Sequence, residues 1–221
     1  MEIHNYVKTS LIDYPGKLAC VVFTQGCMWN CWFCQNAELL SLKKGEVDKQ
    51  EVLDFLKTRI GKLDAVVVCG GEPTMHKDLP QFIKEIKDLG FLVKLDTNGT
   101  NPTALKDLLD KKLIDYVAMD IKTISKKYND VAQVSVNLDA LKQSISLLIN
   151  SNIDYEFRTT AIPTILKQDF IDIAKYLKGA KHYYIQHYLP PTKNHPKPIY
   201  ADADLQQIVK ECNRYITTKL R

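Results

Sequence analysis

The chain alternates short apolar runs with longer amphipathic runs. The short runs are rich in β-branched residues and are bounded by turn residues, which predicts strands. The six predicted strands are Lys17–Thr24, Ala65–Cys69, Leu92–Leu95, Tyr116–Ile121, Tyr155–Ala161 and Tyr183–Tyr188. The amphipathic runs predict helices at Asp48–Ile60, Leu79–Leu89, Thr103–Lys111, Leu138–Asn150, Gln168–Leu177 and Ala203–Thr217. Asn137 stands at the N-cap position of the fourth predicted helix.

Six strand–helix units in succession predict a parallel sheet with right-handed crossovers. A closed barrel of eight such units needs about 250 residues, whereas this chain has 221. We therefore predict an α/β fold, a partial (β/α)6 TIM-like barrel with a parallel sheet that is open on one side. We expect one domain over residues 1–221. A doubly wound open sheet is the alternative.

Composition and charge narrow the possible partners. Hydrophobic residues make up 45% of the chain, charged residues 25%, and the net charge is +4. Lysine and arginine are spread along the chain, which argues against a nucleic-acid surface. No apolar stretch approaches the ~18 residues of a membrane span, and residues 1–10 lack the apolar part of a signal peptide. We expect a cytoplasmic protein with neither nucleic acid nor membrane as a partner.

Three of the six cysteines lie close together after the first predicted strand. Cys27, Cys31 and Cys34 have the spacing C-x3-C-x2-C. Three thiolates on one loop can reach three corners of an iron–sulfur cube. With no fourth cysteine nearby in the sequence, one iron would stay open to a substrate, as in catalytic metal sites. The alternative is a structural zinc site completed by a histidine, which would be His76, His182 or His187.

The other three cysteines fall within predicted strands or a helix. Cys20 and Cys69 lie in apolar strands and Cys212 lies in the last helix. Free cysteines in such positions are among the most buried residues. We expect all three to be buried thiols without a ligand.

Polar segments follow several predicted strands, where parallel sheets carry their active sites. Alternation puts two of these residues, Asp120 and Lys122, on the same side of the fourth strand, although a surface ion pair would give the same pattern. Arg158 on the fifth strand either reaches the active face or extends outward. Gln186 and His187 on the sixth strand lie on opposite sides. The remaining polar segments are Gly70-Gly71-Glu72-Pro73 and Asp96-Thr97-Asn98.

The cysteine spacing, with Phe33 before the last cysteine, resembles the signature of the radical S-adenosylmethionine (SAM) superfamily. The segment from Gly70 to Pro73 resembles the GGEP motif of that family, and the resemblance covers nearly the whole chain. It implies a [4Fe–4S] cluster on the three cysteines and SAM chelated at the open iron. The other SAM-binding positions that it implies are Phe33, Gly70, Gly71, Glu72, Pro73, Asp96, Thr97, Asn98, Asp120 and Lys122.

The segment from Thr9 to Lys17, followed by Phe23 to Cys27, is similar to glycyl-radical-enzyme activating proteins. It looks closest to those of anaerobic ribonucleoside-triphosphate reductase, although Gln35-Asn36 stands where His-Asn is usual. The resemblance implies reductive cleavage of SAM to a 5′-deoxyadenosyl radical. That radical would abstract hydrogen from a glycine of a partner glycyl-radical enzyme, and a flavodoxin- or ferredoxin-type protein would donate the electron.

Two other functions remain open at this point. One is a radical SAM enzyme that acts on a small molecule, similar to 7-carboxy-7-deazaguanine synthase. The other is a non-enzyme, either an electron carrier or a zinc-stabilised binding module. An electron carrier normally closes all four iron positions, and it would not need the polar residues after the other strands.

Overall fold

Eight strands form one sheet at the centre of the computed structural model, which describes residues 1–221. The strands are β1 (Ile3–Ser10), β2 (Ala19–Thr24), β3 (Ala65–Gly70), β4 (Leu92–Thr97), β5 (Tyr116–Asp120), β6 (Asp154–Thr160), β7 (Tyr183–Gln186) and β8 (Thr218–Leu220). The helices are α1 (Lys49–Lys57), α2 (Leu79–Asp88), α3 (Pro102–Asp110), α4 (Tyr128–Ala132), α5 (Leu138–Ile149), α6 (Lys167–Tyr176) and α7 (Asp202–Cys212).

The strand order decides between the two predicted architectures. The strands pair in sequence order from β1 to β8, with β1 antiparallel to β2 and every later pair parallel. A doubly wound sheet would instead reverse its order at a switch point. The strands β1 and β8 do not pair with each other, so the sheet stays open. The prediction of a partial (β/α)6 barrel is confirmed.

The sequence prediction missed both edge strands of this sheet. β1 is mostly exposed and carries polar residues, because an edge strand needs little apolar pattern. β8 follows the last helix, which was predicted to continue to Thr217 but ends at Cys212. The amide of the Asn213 side chain donates to the Val209 carbonyl, and its oxygen accepts from the Thr218 backbone NH. These bonds end the helix and begin the strand.

The two faces of the sheet differ in polarity. One face packs against the helices and supplies core residues such as Val66 and Val117. The inner face is apolar at the amino ends of the strands, where Tyr14 packs against Tyr116 with ring centroids 5.5 Å apart. Towards the carboxyl ends the inner face carries charged side chains, among them the buried Lys94. None of the helices combines the length and the apolarity that crossing a bilayer requires.

The N-cap of α5 gives a test of the fold that does not involve the active site. The Asn137 side-chain oxygen accepts from the backbone NH groups of Asp139 (3.1 Å) and Ala140 (3.2 Å). Asn137→Ala removes both acceptors, so we expect the free energy of unfolding to fall by about 1 kcal/mol. Urea denaturation measures this change. Gln143→Ala, at an exposed position of the same helix, should change it by less than ~0.5 kcal/mol; equal effects would contradict the cap.

Candidate active site

The carboxyl ends of the parallel strands surround a cavity of about 500 Å³. This volume lies in the range of sites that bind small molecules. Twelve of the thirteen site residues predicted from the sequence line it: Cys27, Cys31, Phe33, Cys34, Gly70, Gly71, Glu72, Asp96, Thr97, Asn98, Asp120 and Lys122. Pro73 does not line the cavity. It is buried at the start of the 3-10 turn Pro73–Met75, next to Glu72.

The three clustered cysteines lie on the loop that leaves β2. Backbone bonds anchor the start of this loop, where the Cys27 NH donates to the Leu40 carbonyl (3.2 Å). At its end the Cys34 NH donates to the Cys31 carbonyl (3.0 Å). Burial raises the pKa of all three thiols, and the positive charge of Lys122 opposes that shift in each case. The ammonium therefore favours the thiolate form, which is the form that binds metal.

The donor set fits a cluster better than the zinc alternative. No three His, Cys, Asp or Glu side chains converge on a point where they would hold a single metal ion. The three thiols line one cavity, as the ligands of three irons in one cluster must. His182 precedes β7 and therefore lies at the opposite end of the sheet from the cysteines. Of the three candidate histidines only His187 lines the cavity with the cysteines, and it forms no ion-binding group with them.

The two glycines at the end of β3, Gly70 within the strand and Gly71 just after it, are required by the packing of the backbone. Gly70 has φ +112°, and a Cβ atom there would lie 2.4 Å from the Thr24 nitrogen. A Cβ atom on Gly71 would lie 2.0 Å from the Gly26 carbonyl oxygen. A side chain at Gly70 would therefore push β3 away from the end of β2, and one at Gly71 would push it away from the loop that follows β2. Both glycines also line the cavity, so their backbone is open to a ligand.

Glu72 connects the ends of two neighbouring strands. Its side chain is buried, and its Oε1 accepts from the Thr74 NH (3.0 Å), the Thr74 hydroxyl (2.5 Å) and the Thr97 hydroxyl (2.8 Å). Its Oε2 accepts from the Asn98 NH at 2.7 Å. Burial raises the pKa of this carboxyl, and the four hydrogen bonds oppose the shift. Glu72 thus positions Asn98, whose side-chain nitrogen lies 3.9 Å from the Cys27 sulfur.

A chain of five alternating charges crosses the inner face of the sheet. Lys94 pairs with Asp96, and the Asp96 Oδ2 lies 2.8 Å from the Arg158 Nη1. The Arg158 Nε donates to the Asp120 Oδ1 (2.7 Å), and the Lys122 Nζ donates to the Asp120 Oδ2 (2.7 Å). The sequence left the direction of Arg158 open, and the structure shows that it points inward. Lys94 was not predicted as a site residue, although it lies two positions before Asp96 on β4 and therefore faces the same side of the sheet.

These contacts set the charge states at the inner end of the cavity. Burial alone would raise the pKa of Asp120, but the charges of Arg158 and Lys122 outweigh it and the pKa falls well below its usual range. The pKa of Asp96 is lowered in the same way by Arg158 and Lys94, against the effect of burial. Burial would lower the pKa of Lys122, but Asp120 raises it. The site therefore presents carboxylates and an ammonium group that stay charged at neutral pH.

Some residues of the cavity were not predicted as site residues. Cys69 was expected to be a buried thiol, as Cys20 and Cys212 are, but it is half-buried and lines the cavity. Strand alternation puts it on the inner face with Val67, a signal that was available in the sequence. Asp13, from the loop between β1 and β2, also reaches the cavity.

The structure also shows where Gln186 and His187 point, which the sequence left open. Gln186 and His187 both line the cavity, although strand alternation predicted that only one of them would face inward. Gln186 is the last residue of β7, so His187 is no longer subject to the alternation of the strand.

Comparison with known proteins identifies relatives of this chain. Residues 21–177 match the family model of the Radical SAM superfamily. A protein of Methanocaldococcus jannaschii named "Putative glycyl-radical enzyme activating enzyme" is 34% identical over 229 aligned residues. That alignment covers 97% of this chain and 92% of the relative.

Solved structures share the fold at low sequence identity. SuiB of Streptococcus suis bound to S-adenosylmethionine gives a TM-score of 0.70 at 15% identity, covering 89% of this chain and 48% of SuiB. A domain of pyruvate-formate lyase-activating enzyme from Bacteroides vulgatus gives a TM-score of 0.58 at 15% identity, covering 72% of this chain and 99% of that domain. The family model and the nearly full-length relative together lead to one conclusion. The chain belongs to the radical SAM superfamily, whose members use a [4Fe–4S] cluster and S-adenosylmethionine.

Proposed function

We propose that this radical SAM enzyme activates a glycyl-radical enzyme, with anaerobic ribonucleoside-triphosphate reductase as the preferred partner. The observation that carries the proposal is the nearly end-to-end similarity to the M. jannaschii protein named as an activating enzyme. The loop between β1 and β2 supports it, because this is the segment that resembles the activating proteins. Asp13 of this loop lines the cavity, while Leu11 and Ile12 are 78% and 86% exposed.

We assign the cluster to the three cysteines of the loop after β2, namely Cys27, Cys31 and Cys34. When bound, the cluster and SAM supply a 5′-deoxyadenosyl radical that abstracts a hydrogen atom. The positive charge of Lys122 acts on all three thiols and opposes the rise that burial causes in the pKa of each. Its Nζ lies 5.7 Å from the centre of the Phe33 ring. This ammonium stabilises the negative charge that the thiolates bring into the cavity.

The charged chain on the inner face is suited to a ligand with charges of both signs. The methionine part of SAM carries an ammonium group and a carboxylate. Asp96 and Asp120 offer carboxylates to the former, and Lys122 offers an ammonium to the latter. Arg158 bonds to both aspartates and fixes their separation, so it acts as a positioning residue. A preorganised set of charges binds such a ligand without first having to rearrange.

A glycine in a flexible loop is a suitable substrate for this site. Glycine has no Cβ atom, so its Cα can approach a buried reacting atom closely. The sheet is open on one side, and the exposed Leu11 and Ile12 lie on the loop that reaches the cavity. The partner would have to release its radical loop from its own structure, so binding should be weak and coupled to local opening.

Removing the charge of Asp120 or Lys122 is expected to weaken SAM binding much more than it lowers the iron content, because all three cysteine ligands remain. Each residue can form a charge-assisted hydrogen bond, so Asp120→Asn or Lys122→Met should cost about tenfold or more in affinity. Equilibrium binding and iron analysis measure the two quantities. The matched control is Asp115 and Lys87, an ion pair at 2.7 Å outside the cavity. If Asp115→Asn and Lys87→Met weaken SAM binding equally, the assignment of Asp120 and Lys122 is wrong.

The proposed activity predicts a radical on the partner protein. The reduced holoenzyme, SAM and an anaerobic ribonucleotide reductase are mixed without oxygen. A doublet signal in electron paramagnetic resonance should appear and should be lost when the partner's radical glycine is replaced by alanine. The Asp120→Asn variant should reduce the rate at which the signal forms. No signal, together with turnover of a deazapurine precursor, would instead establish the small-molecule reaction.

A further inference from the structure

A second cavity lies on the helical side of the sheet, behind the strand end that carries Asp120 and Lys122. It has a volume of about 400 Å³ and is bounded by the turn after β5 and by α4, α5 and α6. No residue lines both this cavity and the first one. Its apolar wall includes Ile121, Tyr128, Leu138, Leu141, Ile145 and Ile173.

Charged side chains lie among the lining residues of this second cavity. Lys142 pairs with Asp139 at 2.9 Å, and Asp172 pairs with Lys175 at 3.2 Å. Lys126 is exposed and has no carboxylate within ion-pair distance, although its charge, added to the hydrogen bonds that Asp172 accepts, helps to lower the pKa of Asp172 across the cavity. The lining thus carries two ammonium groups and one carboxylate, an excess of one positive charge beside an apolar wall.

We propose that the second cavity binds a small amphipathic anion, with an apolar body among the helices and a single carboxylate or sulfonate beside Lys126. Most of the apolar wall is buried, and Tyr128, Ile145 and Ile173 are at most 6% exposed, whereas Leu138 is half-buried. Such a wall favours an apolar body that leaves water. The excess positive charge favours one negative charge on that body. A single side chain of a protein partner would leave much of the volume unfilled, which close packing disfavours.

The site is connected to the active site through one residue. The Tyr128 hydroxyl accepts from the backbone NH of Lys122 (3.1 Å), and its ring packs edge-on against Trp29 with centroids 5.8 Å apart. Trp29 follows Cys27 by two positions on the cysteine loop, and its backbone NH contacts the Cys27 sulfur at 3.4 Å. An occupant of the cavity therefore touches a residue that contacts both Lys122 and the cysteine loop. This ligand site does not depend on the proposed function.

Calorimetry on the holoenzyme tests the charge requirement, with 1-naphthoate as the ligand and 1-naphthamide as its uncharged counterpart. We expect saturable one-to-one binding of 1-naphthoate. The amide should bind about three- to fivefold more weakly, because a contact with an exposed cation is modest. Lys126→Glu should lower the affinity for 1-naphthoate by at least the same factor. Lys62→Glu, the same change at an exposed lysine outside the cavity, should leave that affinity unaltered.

Filling the cavity tests the position of the site. Ile145→Trp should lower the affinity for 1-naphthoate at least tenfold, whereas Ile60→Trp at an exposed position should not change it. Tyr176→Ala, at the half-exposed edge of the cavity, serves as a second variant if Ile145→Trp lowers the melting temperature strongly. Unchanged affinity in both cavity variants would overturn the proposal. So would equal binding of the amide, or no saturable binding of 1-naphthoate up to about 1 mM.

Discussion

Replacing any one of Cys27, Cys31 or Cys34 by alanine is expected to remove the iron–sulfur cluster and all cleavage of S-adenosylmethionine with it. The three thiols lie on one loop and line one cavity, and each would supply the ligand of one iron. Two remaining thiolates do not hold a cube that already lacks a fourth protein ligand. Anaerobically reconstituted wild type should contain about four irons per chain, whereas each variant should retain almost none. Release of 5′-deoxyadenosine should fall below detection.

The remaining cysteines supply matched controls for this prediction. Cys20 and Cys212 are buried in the core, so Cys20→Ala and Cys212→Ala should keep the iron. Cys69→Ala is the most stringent control, because Cys69 lines the same cavity. Cys69 lies on β3 and not on the loop that carries the three clustered cysteines, and burial raises the pKa of its thiol. Loss of iron from Cys69→Ala would mean that the cluster has a fourth protein ligand and no open iron.

The position of the site was predictable because parallel strands impose it. Once the six strand–helix units were recognised, the polar segments after the strands had to meet at one edge of the sheet. The cysteine loop after β2, Gly70 and Gly71 at the end of β3, and Asp120 at the end of β5 all do so. Local pattern and connectivity were sufficient for this inference, since neither depends on which side chains touch.

The contacts within the site depended on long-range geometry and were not predictable in the same way. Glu72 was named as a SAM-binding position through the resemblance to the GGEP motif, and the sequence did not reveal that its oxygens bond to Thr74, Thr97 and the Asn98 backbone. Arg158 joins two aspartates from neighbouring strands, a contact fixed by the strand register. The edge strands were missed for a related reason. They are defined by pairing with β2 and β7, and their own sequences carry little apolar pattern.

Replacing Arg158 by methionine is expected to lower the free energy of unfolding at neutral pH by about 3 kcal/mol. The guanidinium is the shared partner of Asp96 and Asp120, at 2.8 and 2.7 Å. Methionine keeps most of the apolar volume of the side chain but leaves both carboxylates without the guanidinium. Breaking a buried ion pair by removing one partner costs roughly 3–5 kcal/mol, and we take the lower end because both aspartates keep a lysine partner.

This cost should depend on pH, and its sign follows from the two aspartates. In the wild type their pKa values are lowered, because Arg158 outweighs the effect of burial. Their stabilising contribution is therefore present above about pH 4, the usual range of an aspartate, and is lost only as the pH falls further. Without the guanidinium, burial raises both pKa values relative to the wild type. The folded variant then binds protons at a higher pH than the wild type does.

The difference in unfolding free energy between the two proteins should therefore shrink as the pH falls from about 7 to about 5, since protonation removes the carboxylate charges that the variant no longer balances with Arg158. Urea denaturation of identically prepared proteins at both pH values measures this difference. Arg214→Met, at an exposed position without an ion pair, should stay within ~0.5 kcal/mol of wild type at either pH. A difference that grows on acidification would show that Asp96 and Asp120 are not the groups whose charge Arg158 balances.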